Sequence, residues 1–187
     1  STGNTMIGNK AGFRTSGNYN TAIGFRAMSG SSSGDTSHNN VAIGYDAMED
    51  STSANENVII GNFAGTEITE GDFNTAVGYA ALRSGTTTNR QVAVGYAALS
   101  NFTQSGDLRN VAVGMYAMLY PRSGSNNVAM GYGAMRGDNS TYDSDYNAAL
   151  GSDSLYSIAG GNSNTAVGYQ AGYNITTGGD NVLVGRQ

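Results

Sequence analysis

Along the whole chain, branched and small residues alternate over three positions and then meet a glycine, as in Thr21-Ala22-Ile23-Gly24, Val41-Ala42-Ile43-Gly44 and Val92-Ala93-Val94-Gly95. An alternation with period two, rich in β-branched residues and closed by glycine, predicts a short β-strand. The same phrase recurs from end to end, with its glycine at Gly8, Gly24, Gly44, Gly61, Gly78, Gly95, Gly114, Gly131, Gly151, Gly168 and Gly185. Successive glycines are 16 to 20 residues apart and most often 17. Four residues before each glycine stands an asparagine, including Asn20, Asn40, Asn74 and Asn164, replaced once by Gln91.

A second conserved stretch follows each glycine: alanine three residues on in nine of ten complete repeats, Ser154 being the exception, then Met, Leu or Gly. The position just before that alanine holds residues as different as Lys10, Asp46, Phe63 and Gln170, and so is expected to face solvent. A Ser/Thr/Gly/Asn tract such as 84–89 closes the unit and takes the insertions, as turns do. Two short strands and two turns per unit are too little to bury an apolar face alone, so consecutive units must stack into one continuous core. The predicted fold is therefore all-β: one parallel β-solenoid domain over residues 1–187, of about eleven repeats with a 17-residue unit. Ten steps at the inter-strand spacing of about 4.8 Å make a rod of roughly 50 Å.

Within a coil, glycine suits a corner or a close backbone approach, and stacked asparagines can hydrogen-bond from coil to coil. The aliphatic residue before glycine, Val94 for example, is expected to fill the interior. The alanines are expected to make a flat face for a neighbouring chain. Phe25, Tyr45, Tyr79, Tyr96, Tyr132 and Tyr169 each follow a motif glycine. Alternation puts them on the same side as the aliphatic row, where a packing ladder is expected.

Composition excludes several classes. Of 187 residues 28 are glycine and one is proline, which rules out collagen and proline-rich linkers. Charged residues are 12% and the net charge is -5, with no basic patch, so nucleic acid is not an expected partner. No cysteine is present, so disulfides and thiolate metal sites are excluded. The longest apolar run, 111–120, is half of the roughly 20 residues that span a bilayer, so membrane insertion is not expected. The repeat pattern begins at Asn4 and stops in mid-unit after Gly185, which leads to the expectation that the rod is part of a longer fibre, or a subunit that stacks end to end.

The repeats Asn20-Thr-Ala-Ile-Gly24, Asn40-Val-Ala-Ile-Gly44 and Asn74-Thr-Ala-Val-Gly78-Tyr-Ala-Ala-Leu82 resemble the head repeats of trimeric autotransporter adhesins. Asn164-Thr-Ala-Val-Gly168-Tyr-Gln-Ala-Gly-Tyr-Asn-Ile-Thr-Thr-Gly178 is similar to phage tail-fibre repeats. The resemblance implies a left-handed β-roll in which three chains lie side by side. It also implies an extracellular setting, on a cell surface or a virion, and a structural and adhesive role with a surface glycan or receptor as partner. The unit is longer than the adhesin's, and neither its stalk and membrane anchor nor an autocleaving chaperone domain is recognisable.

Catalytic chemistry has little material. His38 is the sole histidine, and no cofactor or metal is expected. The spacing of the acids Asp138, Asp143, Asp145 and Asp153 matches neither an EF-hand loop nor the nonapeptide calcium-binding solenoid, so a solvated turn is expected. A carbohydrate-binding or carbohydrate-cleaving β-helix is the alternative function, and cleavage would need paired carboxylates on one face. Arg136-Gly137-Asp138, an integrin-type tripeptide, is a candidate surface contact on the longest inserted turn. Asn101-Phe-Thr103, Asn139-Ser-Thr141 and Asn174-Ile-Thr176 are formal glycosylation acceptors that an Asn/Thr-rich chain produces readily.

Overall fold

A computed structural model describes residues 2–31, 34–102, 104–120, 123–137 and 143–187. The strands in chain order are β1 (Thr5–Ile7), β2 (Thr21–Ile23), β3 (Val41–Ile43), β4 (Val58–Ile60), β5 (Thr75–Val77), β6 (Thr88–Asn89) and β7 (Val92–Val94). They continue with β8 (Gly106–Asp107), β9 (Val111–Val113), β10 (Val128–Met130), β11 (Ala148–Leu150), β12 (Thr165–Val167) and β13 (Val182–Val184). Eleven of them form one parallel sheet in chain order, and β6 pairs β8 separately. The register is that of the repeat: Thr75 lies opposite Val92, Ala76 opposite Ala93 and Val77 opposite Val94. The protein is an all-β parallel solenoid of about ten turns, without a helix among the described residues.

Each coil carries one strand of this sheet, not two. The stretch after the glycine is a run of turns whose backbone alternates between neighbours. The Arg26 N–H donates to the Asn9 carbonyl of the preceding coil at 3.0 Å, and the Met28 N–H donates to the Ala47 carbonyl of the next at 2.9 Å. This zigzag needs left-handed residues at fixed places: two and four after the glycine, as at Arg26 and Met28, and just before the asparagine, as at Tyr19. A non-glycine residue there costs about 1 kcal/mol. The inter-coil bonds hold it, so a coil's conformation depends on the coils above and below.

The interior is lined by alanine. Ala22, Ala42, Ala76, Ala93 and Ala112, two before the glycine, are fully buried, as are Ala27, Ala47, Ala81 and Ala98, three after it. Met28, Met48, Leu82, Leu99 and Leu155 fill the space between. Where the later position is glycine, a larger side chain fills its space: Met6 beside Gly12 and Ile59 beside Gly65 in the same coil, and Leu155 and Leu183 of the adjacent coils at Gly172. A Cβ on Gly65 would stand 3.1 Å from the Ile59 methyl. The sidedness expected from the sequence is thus reversed. Val94 and its equivalents are half-buried on the outer face of the sheet, and the alanines lie inside.

The asparagines close each coil and couple it to the next. The Asn57 Nδ2 donates to the Gly71 carbonyl, fourteen residues on, at 2.8 Å, and to the Asn40 Oδ1 at 3.0 Å. The Asn57 Oδ1 accepts the Asn74 N–H at 2.8 Å. The arrangement repeats at Asn40, Asn127, Asn147 and Asn164. At Gln91 the longer side chain turns its amide onto the Asn89 carbonyl, and the Asn110 N–H reaches Gln91 Oε1 at 3.3 Å. Motif glycines stack directly: a Cβ on Gly95 would be 2.6 Å from the Gly114 carbonyl oxygen.

Candidate functional surface

The outer face of the long sheet carries three side-chain rows of eleven. One lies three residues before the glycine (Thr21, Val41, Val92 and equivalents), one just before it (Ile23, Ile43, Val94), and one just after it (Phe25, Tyr45, Tyr96). The third row extends the sheet, because inter-coil bonding continues past the strands: the Gly24 N–H donates to the Ile7 carbonyl and the Arg26 N–H to Asn9. Among these positions only Arg186 is charged. Close stacking on both sides makes most of the aliphatic side chains half-buried within the chain, yet Val58, Met130, Leu150 and Val167 still count as exposed.

The third row is a ladder of rings. Phe25 and Tyr45 stack at 5.2 Å, Tyr79 and Tyr96 at 5.0 Å, with ring planes within 14° of parallel. Between the pairs, Phe63 meets Tyr45 and Tyr79 edge-on, and Tyr116 does the same with Tyr96 and Tyr132. Neither Phe63 nor Tyr116 sits just after a glycine. In those two coils that place holds Asn62 and Met115, and the ring comes from one residue further on. Every coil from Gly24 to Gly131 therefore contributes one aromatic ring. By its place in the repeat Phe63 is expected to face solvent, and the structure puts it in the ring ladder instead. The signal available was the exchange itself, an aromatic appearing where its neighbour ceases to be one.

That position is also less exposed than expected, since Asp46, Ala80 and Ala97 are buried there. Asp46 accepts a two-pronged bond from Arg26 at 2.9 and 2.6 Å, and Arg26 also reaches Glu49 at 2.6 Å. Burial pushes the Glu49 carboxyl up, with Asp46 adding to the shift, and raises Asp50, with Glu67 adding. Hydrogen bonds from Arg90 and Arg109 hold Asp107 below the usual carboxylate range. Asp35 is fully buried in the first insertion, where it accepts bonds from the Thr15 and Ser51 hydroxyls and from the Ser37 N–H and hydroxyl.

The other sequence candidates are dispersed. His38 is half-buried and its Nδ1 accepts the Asn18 N–H at 2.9 Å, pinning the inserted turn rather than standing free in solvent. Arg136 lies against Tyr116, Tyr120 and Tyr156 and donates to the Tyr156 hydroxyl at 2.7 Å, while Gly137 is buried. Asp138, the last member of that tripeptide, lies outside the described residues, as do 139–141 and Thr103 of two glycosylation triplets. Asp145 accepts the Ser125 N–H and hydroxyl, and among the described residues no three His or carboxylate side chains gather in a metal-binding group. No helix among them is long and apolar enough to cross a membrane. No family model, no characterised protein and no solved structure matches this chain.

Proposed function

We propose that the chain is a structural and adhesive segment of an extracellular fibre, of the kind its repeats resemble in adhesin heads and tail fibres. Its apolar ribbon is the face on which three parallel copies associate. One observation carries this reading: the three outward rows run the whole length of the rod with a single charge among them, Arg186. Strand geometry gives a ribbon about 13 Å wide and 48 Å long, on the order of 600 Å². That lies at the upper end of the roughly 300 to 600 Å² largest patch of a soluble monomer and approaches the roughly 800 Å² per partner of a stable interface. In-register stacking also makes the ribbon flat and repetitive, so identical copies match along their full length. The faces of the stacked rings are occupied by one another, which favours packing between chains over stacking against sugars.

Light scattering of the purified chain tests this. The expected mass is three times 19.2 kDa. Val94→Asp, which puts a charge in the middle of the ribbon, should give particles of the single-chain mass with β-structure retained. A wild-type chain that stays monomeric over a wide concentration range overturns the reading.

A further inference from the structure

Outside the ribbon, five residues after their motif glycines, Tyr156 and Tyr173 form the closest and most nearly parallel ring pair among the described residues, with centroids 4.8 Å apart and planes 7° from parallel. The separation equals the inter-strand spacing, so each phenol lies directly over the next coil's. The backbone fixes the pair, because the Ser157 N–H donates to the Tyr173 carbonyl at 3.1 Å. Tyr156 is further held by Arg136, which donates to its hydroxyl. Both tyrosines are half-buried, so each keeps contact with solvent.

We infer that Tyr156 and Tyr173 are an oxidative cross-linking site, joined as dityrosine by a one-electron oxidant of the peroxidase and hydrogen peroxide class. One-electron oxidation of a phenol, with loss of its proton, gives a phenoxyl radical with much of its spin on the carbons ortho to oxygen. Two such radicals in the pair join by one new C–C bond between ortho carbons. The ortho hydrogens then leave as protons while the phenol oxygens are reprotonated. Two phenols and one hydrogen peroxide give one biphenol and two waters, with two hydrogen atoms lost from the protein. Holding both rings in place makes an encounter between radicals intramolecular, the condition under which it is most favoured. The product ties two consecutive coils covalently, close to β13, where Val182 and Val184 are the most exposed aliphatic residues among those described.

The ribbon contains a pair of almost the same geometry, Tyr79 and Tyr96, which serves as an internal comparator. The assembled protein is treated with peroxidase and limiting hydrogen peroxide, then followed by dityrosine fluorescence, intact mass and peptide mapping. The expected result is loss of two hydrogens per chain and a Tyr156–Tyr173 cross-linked peptide, abolished in Tyr173→Phe and unchanged in Tyr79→Phe. Oxidation of the well-exposed Tyr19 and Tyr146 without a Tyr156–Tyr173 link overturns the inference, as do links formed only between chains. Coupling of Tyr79 to Tyr96 as well would leave this site standing and instead refute the ribbon as a covered face.

Discussion

Replacing Gly95 by alanine separates two reasons for the invariant glycine. Its φ is 132°, where an L side chain costs about 1 to 3 kcal/mol. In addition, the new Cβ would stand 2.6 Å from the carbonyl oxygen and 2.7 Å from the carbonyl carbon of Gly114. That peptide cannot easily retreat: the Gly114 N–H donates to Val94 at 2.8 Å, and the Gly114 carbonyl accepts the Ala117 N–H at 3.3 Å. Forced overpacking of this kind adds about 1 to 3 kcal/mol. Gly106 has a comparable φ of 112° but open space where its Cβ would be, so Gly106→Ala isolates the conformational cost. Gly95→Ala should therefore be more destabilising than Gly106→Ala by about 1 to 3 kcal/mol. Because solenoids can unfold in parts, the assay is hydrogen exchange followed by mass spectrometry, coil by coil. Protection should fall most in the coils around Gly95 and Gly114. Equal losses in the two variants would show that coil contact at the glycine row does not constrain the sequence.

Ala93→Asp should bury an unpaired charge in the alanine-lined interior and cost several kcal/mol, whereas Val94→Asp on the outer face should barely change the melting temperature of a dispersed chain. Comparable melting temperatures for the two variants would refute the assignment of the inner and outer faces. Asn57→Ala leaves the Asn74 N–H and the Gly71 carbonyl without their partner and should cost about 3 kcal/mol, read as a lower denaturation midpoint. Asp50 tests pH dependence. Its raised carboxyl binds a proton in the folded chain at pH values where the unfolded chain has lost it, so its contribution to stability is full below about pH 4 and is lost as pH rises through the folded value. Asp50→Asn should therefore be more stable than wild type at neutral pH, with the advantage shrinking in acid. A constant difference across that range would remove burial of Asp50 as the cause.

The repeat length, the parallel stacking and the positions of glycine and asparagine were all legible in the sequence, because each repeats with the coil and has few physical explanations. Glycine at a fixed place in every coil signals a backbone that no side chain can enter, and Gly95 against Gly114 shows what excludes it. Period two also divided the strand into two sides, but it could not say which side was inside. The larger Val and Ile suggested the core, whereas the narrow coil mostly admits alanine at the middle of each strand, with Met, Leu or a turn residue such as Ile68 or Phe102 filling the rest, and turns the branched residues flanking that alanine outward. The second half of the unit read as a strand because its pattern is short and apolar. Its run of left-handed residues such as Met28, Leu82 and Leu99 has no sequence signature, since hydrogen bonds from adjacent coils sustain that conformation against local preference. The Phe63 and Tyr116 rings, and the pairing of Tyr156 with Tyr173, likewise depend on side chains from successive coils meeting in space. The one-dimensional pattern determined which residues stack. Only the closed coil decided which way they point and which of them touch.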